Sequence, residues 1–160
     1  EPRDHEAELA EPGACFVTLK HGERLRGCIG SPQAYRPLIL DVCENAYAAA
    51  FGDPRFPKLT PKDLKNLDLS ISVLSPPTDM TLRDEADLLA QLRPGTDGLI
   101  IEDGGKRALF LPSVWQQLPD PRVFLDHLKN KAGLSANHWS PSFKAQRFIA
   151  GEISGDNLSE

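Results

Sequence analysis

Cys28 is the residue of this chain best suited to nucleophilic chemistry. It lies in the run Leu25, Arg26, Gly27, Cys28, Ile29, Gly30. A thiol reacts as its thiolate, and a nearby cation such as Arg26 or Arg24 favours that form. The competing reading is a small packed hydrophobe, the ordinary role of an intracellular cysteine. Gly27 and Gly30 weaken a strand and mark a close approach, by a ligand or by another piece of the fold. A cysteine nucleophile is usually served by a histidine, and of His5, His21, His127 and His138 only His21 lies near in sequence, so no pair is assigned. Arg55 and Phe56 stand between Pro54 and Pro57. An Arg in so stiff a loop can bind a carboxylate or phosphate, or anchor the loop on an acid. No His or Cys spacing builds a zinc site, and Gly104 with Gly105 lacks the Lys and helix start of a phosphate loop.

The elements that must position these residues are read from periodicity. Cys15, Val17 and Leu19 alternate with Phe16, Thr18 and Lys20 as in a strand, His21 and Gly22 turn the chain, and Glu23 to Ile29 returns. Simple alternation puts Arg26 and Cys28 on one face, and Leu25, Gly27 and Ile29 on the other. Pro37 to Phe51 has helical spacing, with Gly52 as its stop and Cys43 on the apolar stripe. Thr60, Pro61 and Asp63 open a short helix, on which Lys58, Lys62 and Lys65 read as a solvated face. A strand follows over 67–73, then a helix near 83–92 and a hairpin across Asp103, Gly104 and Gly105. Asp120 and Pro121 open a helix ending at Gly133, Trp115 is expected in the core, and a strand covers 144–149. Hairpins outnumber strand-helix-strand units, so the fold class is α+β, with a mainly antiparallel sheet and flanking helices. Residues 1–13 are expected to be a flexible segment, 14–153 one domain, and 154–160 a tail.

Composition narrows the function. The chain has 160 residues, 40% of them hydrophobic, and a formal net charge of −5. That charge makes nucleic acid an unlikely partner, since the summed field repels phosphates. No apolar run reaches the ~20 residues of a membrane helix. Three cysteines without C-x-x-C spacing argue for a reducing compartment, and the cytoplasm is the expected location.

Five runs carry a resemblance: LRGCIGS (25–31), AFGDPRFP (50–57), ISVLSP (71–76), DGLIIEDGG (97–105) and LPSV (111–114). In this order they resemble the AMMECR domain family, whose prokaryotic members include AmmeMemoRadiSam system protein A. The resemblance runs from about Ala14 to Ile153. It implies a larger and a smaller subdomain with the LRGCIG segment facing a cleft between them. It also implies association with a Memo-like protein and a radical-SAM protein. The bound substrate or intermediate, a small molecule or peptide, would meet Arg26, Gly27, Ile29, Gly30, Arg55 and Phe56, with Cys28 as thiol or general acid. The alternative is a non-catalytic binding or adaptor module for those partners. No cofactor and no metal are expected.

Overall fold

Strand β1 (Pro12–His21) organises the first half of the chain. In the computed structural model, which describes residues 3–155, it pairs antiparallel with β2 (Arg24–Gly30) on one side and β4 (Asp68–Leu74) on the other. The sheet order is β2-β1-β4-β9, where β9 is Ala150–Ser154, and the two-residue β3 (Arg36–Pro37) also pairs β1. The inward residues Cys15, Val17 and Leu19 form a buried cluster with Ala49 of helix α2 (Leu38–Phe51). This unit runs to Ser75 and takes up the chain again at Gly151; Pro76–Ala150 forms the second unit.

The most buried positions of helix α2 are Asp41, Asn45 and Ala49, so two polar side chains stand on its sheet-facing side beside the apolar Val42, Ala46 and Ala50. Asp41 is fully buried and accepts from the Cys15 amide at 2.9 Å, Ser31 Oγ at 2.6 Å, Arg36 Nε at 2.8 Å and Asn45 Nδ2 at 3.0 Å. Burial alone would raise the Asp41 pKa, but the hydrogen bonds from Ser31, Arg36 and Cys15 outweigh it and hold the carboxyl below its usual range. This rotation of the helix turns Cys43 out to solvent, correcting the expectation that it packs on the apolar stripe. Periodicity misplaced it because the anchoring residues are polar, and polar side chains pass for a solvent face.

A second difference lies at the start. Helix α1 (Arg3–Ala10) and the first residues of β1 occupy what the sequence led us to expect as a flexible segment over 1–13. The Leu38 amide donates to the Glu11 carbonyl at 2.9 Å, tying the junction of α1 and β1 to the first turn of α2. Such long-range pairing has no local signal in a charged stretch. Of the expected C-terminal tail, residues 156–160 lie outside the described residues.

The second unit has its own antiparallel sheet, β5-β8-β6-β7 (Thr78–Asp79, Lys144–Phe148, Gly98–Asp103, Lys106–Phe110). Helices α3 (Glu85–Gln91) and α4 (Pro121–Ala132) supply Leu88, Phe124, Leu125 and Leu128 to its core. Trp115 stacks on Phe124 at 3.8 Å between centroids, and its Nε1 donates to the Asp97 carbonyl at 2.7 Å. Asp120 caps α4 by accepting from the Val123 amide, and Gly133 ends the helix with a left-handed φ of 83°. Both halves are therefore α+β, with antiparallel sheets and flanking helices. Among the described residues no helix is long and apolar enough to cross a membrane.

Candidate functional site

Strand β2 lies at the edge of the first sheet, so among the described residues no strand pairs with the backbone groups on its outer side. At Cys28 the loop after α2 takes that place. Asp53 Oδ2 accepts from the Cys28 amide at 3.0 Å, and Arg55 Nη2 donates to the Cys28 carbonyl at 3.2 Å. Asp53 and Arg55 also bind each other, Nε to Oδ1 at 3.0 Å and Nη2 to Oδ2 at 2.8 Å. The Asp-Pro-Arg sequence makes this local: Pro54 holds the turn, and the Arg55 amide donates to Asp53 Oδ1 at 3.1 Å. Hydrogen bonds from the Arg55 side chain, strongest first, then those from the Cys28 and Arg55 amides, outweigh burial and hold the Asp53 carboxyl well below the usual carboxylate range.

The Asp53 side chain is 2% exposed and that of Arg55 55%. The acid is therefore the fixed anchor and the guanidinium the accessible group. Arg55 lies over the Phe56 ring at 5.3 Å, which restrains its plane. The Cys28 thiol, partly buried, shares a hydrogen bond with the Thr18 hydroxyl across the ladder, 3.4 Å away. Thr18 alternates with the inward Val17 and Leu19, so this pair faces away from α2. The site thus joins a thiol, a hydroxyl and a half-exposed guanidinium, a set able to hold an anionic group and, if the thiol ionises, to act on an electrophile.

The other expected site residues have different surroundings. A bulge pairs Leu19 with Gly27 but Lys20 with Leu25, leaving Arg26 as the extra residue. This breaks the alternation that would seat Arg26 beside Cys28. Arg26 is 5% exposed and its Nη2 lies 3.7 Å from Asp63 Oδ1, while His21 Nε2 donates to the Asp63 carbonyl at 2.7 Å. A Cβ on Gly27 would stand 2.1 Å from the Ala49 carbonyl oxygen, so the close approach there is by α2. At Gly30 the approach is by the Phe16 ring, and Ile29 packs on the α2 cluster. The structure therefore brings together Cys28, Arg55 and Phe56, and sets Arg26 against Asp63, Gly27 and Ile29 against α2, and Gly30 against the Phe16 ring. Asp53 and Thr18 were missed; Asp-Pro-Arg after a helix-stopping glycine was the local signal for Asp53.

One further cluster stood outside the sequence expectations. Asp103, buried at the end of β6, accepts from His138 Nε2, Ser140 Oγ and Ser142 Oγ, each at 2.6 Å. These bonds, those of Ser140 and Ser142 first, hold its carboxyl well below the usual range. They tie the segment before β8 to the β6–β7 turn, and no spacing in sequence links residues so far apart. Among the described residues no group of three or more His, Cys, Asp or Glu is arranged to hold a metal ion.

An antiparallel α+β chain with an LRGCIG strand clamped at its edge defines a class, and comparison with known proteins gives that class its family. The chain belongs to the AMMECR1 family, whose model matches residues 1–153. It is similar to a protein of Methanothermobacter thermautotrophicus, 42% identical over 137 residues, 84% of this chain and 71% of the relative. Protein MJ0810 of Methanocaldococcus jannaschii is 39% identical over 144 residues, 88% and 72% of the two chains. The crystal structure of the uncharacterized protein PH0010 from Pyrococcus horikoshii matches with a TM-score of 0.86 at 34% identity, covering 96% of this chain and 78% of that one.

Proposed function

We propose that this protein is the substrate- or intermediate-binding component of an AmmeMemoRadiSam modification system, acting with a Memo-like and a radical-SAM protein. The bound group is an anion held by Arg55 beside Cys28, on the face of the first sheet that carries Thr18. The observation that carries this reading is the clamp of Asp53 and Arg55 on both backbone groups of Cys28. Closing an edge strand needs no charged pair. A charged pair adds a fixed thiol and a guanidinium whose second terminal nitrogen stays free of the clamp, at a side chain more than half exposed. Arg26, buried against Asp63, serves this site by holding the strand.

A second reading makes the same surface a non-catalytic adaptor. It is favoured by the bonding of the Cys28 thiol, whose side-chain partner among the described residues is the Thr18 hydroxyl and not a histidine. Full-length Arg55→Gln and Cys28→Ser variants, titrated by calorimetry with a purified Memo-like protein and a purified radical-SAM protein, test both. Arg55→Gln is expected to weaken the complex about tenfold, the loss of one charge-assisted contact. An unchanged complex together with unchanged turnover by Arg55→Gln overturns the site proposed here, since Arg55 would then serve neither partner binding nor the bound anion. Cys28→Ser is expected to bind normally and to abolish turnover of the three-protein system; full turnover leaves the adaptor reading.

A further inference from the structure

Helix α2 carries alanine at positions 46 and 50, on the side that faces Leu19 and Leu59, and alanines are too short to close the space between them. A pocket of about 400 Å³ remains there, on the α2 side of the sheet and so opposite the Thr18 and Cys28 face. Its wall is apolar: Leu19, Leu59, Leu67 and Leu69 from the sheet and its connections, Phe51 from the end of α2, and Leu64 from the 3₁₀ turn Pro61–Leu64. The volume falls in the ordinary range of small-molecule sites. Leu64 is 65% exposed, and Phe51 and Leu69 are exposed as well, so apolar surface is left to water at its mouth. Exposed apolar surface grouped around a depression is the mark of a covered site.

The surroundings narrow what covers it. Lys58 precedes Leu59, Lys62 follows Pro61 and Lys65 follows Leu64, and all three lysines are exposed. The carboxylate within that run, Asp63, is already engaged by the Thr60 amide and hydroxyl, at 2.7 and 2.8 Å, and by Arg26. Lys20, also exposed, stands across the ladder from Asp68, which offsets it. In a chain of net charge −5, the pocket is thus apolar within, and three exposed lysines lie along the segment that forms one rim, each next in sequence to a wall residue. The 3₁₀ turn that forms this rim is fixed from beneath by Arg26 and His21, so the wall is built rather than frayed.

We infer that this pocket binds a medium-chain anionic amphiphile, its hydrocarbon chain on Leu19, Phe51, Leu59 and Leu64 and its carboxylate against Lys58, Lys62 and Lys65. The inference is independent of the role proposed for Cys28, since the two sites use opposite faces of the sheet. The full chain is titrated with sodium decanoate and, separately, with 1-decanol, following amide shifts by NMR below the micelle-forming concentration. Decanoate is expected to saturate one site and to move the amides of Ala50, Leu59 and Leu64. Ala50→Leu, which fills the pocket, is expected to weaken decanoate about tenfold. The double change Lys62→Ser with Lys65→Ser leaves the core untouched; it is expected to weaken decanoate about threefold or more and to leave decanol unchanged. Three results overturn the inference: no saturable shift with decanoate, equal decanoate affinity in the wild type and the lysine variant, or, in a parallel titration with a Leu/Glu amphipathic peptide, saturation by the peptide alone, which would assign the face to a protein partner.

Discussion

Asp53 and Arg55 grip each other through two hydrogen bonds between their side chains and, as a unit, hold both backbone groups of Cys28. The pair does for one residue what a neighbouring strand does for a whole edge. It also makes the geometry around the thiol depend on a single buried carboxylate.

Asp53→Asn therefore tests the clamp through stability. The folded-state pKa of Asp53 is depressed, chiefly by the Arg55 side chain. Its contribution is fully present above the unfolded value of about 3.9 and is lost as pH falls through the folded value. At pH 7 the variant should lose about 1–3 kcal/mol in urea unfolding, the cost of a broken charged hydrogen bond in a buried place. Below about pH 4 the wild type should lose stability more steeply than the variant, because the variant has no such proton to bind. Parallel acid limbs would show that Asp53 is not the group that titrates.

The two glycines of the LRGCIG strand should differ in cost. A Cβ at Gly27 meets the Ala49 carbonyl at 2.1 Å, a backbone atom that moves only if α2 moves. A Cβ at Gly30 meets the Phe16 ring at 2.2 Å, and Phe16 is only partly buried, so the ring can swing aside. Gly27→Ala is expected to lower stability by about 3 kcal/mol and Gly30→Ala by about 1 kcal/mol, measured by urea unfolding at pH 7. Equal losses would contradict the packing assigned to Gly27.

Elements with local punctuation were legible in sequence. Helix α4 has a capping Asp120, Pro121 in its first turn and Gly133 at its end, each of which acts within a few residues. The hairpin of β6 and β7 likewise turns where Gly104 and Gly105 take positive φ. What depended on distant partners was not legible. The bulge at Arg26 arises where β1 and β2 pair, the inward turn of Asp41 answers to Cys15 and Ser31, and α1 is tied to α2 across 27 residues, Glu11 to Leu38. For the site, Arg55 and Phe56 drew notice as residues in a stiff loop. That the loop would land on Cys28 followed from no spacing.

The three cysteines allow the thiol to be judged against internal controls. Burial, strongest among its causes, pushes the Cys15 thiol up to about 11, and the side chain is closed to solvent. Cys43 is exposed and Cys28 partly buried. Access alone therefore orders labelling by iodoacetamide in the native protein as Cys43, then Cys28, with Cys15 silent until unfolding. Site-resolved mass spectrometry across pH 6–9 reads all three at once. If Cys28 overtakes the more exposed Cys43 at the low end of that range, the Arg55 guanidinium beside it is activating the thiol, since access cannot invert the order. Arg55→Gln should then restore the order set by access. If Cys28 trails Cys43 at every pH in both proteins, the thiol is a packed neighbour of Thr18, and the site acts through the guanidinium alone.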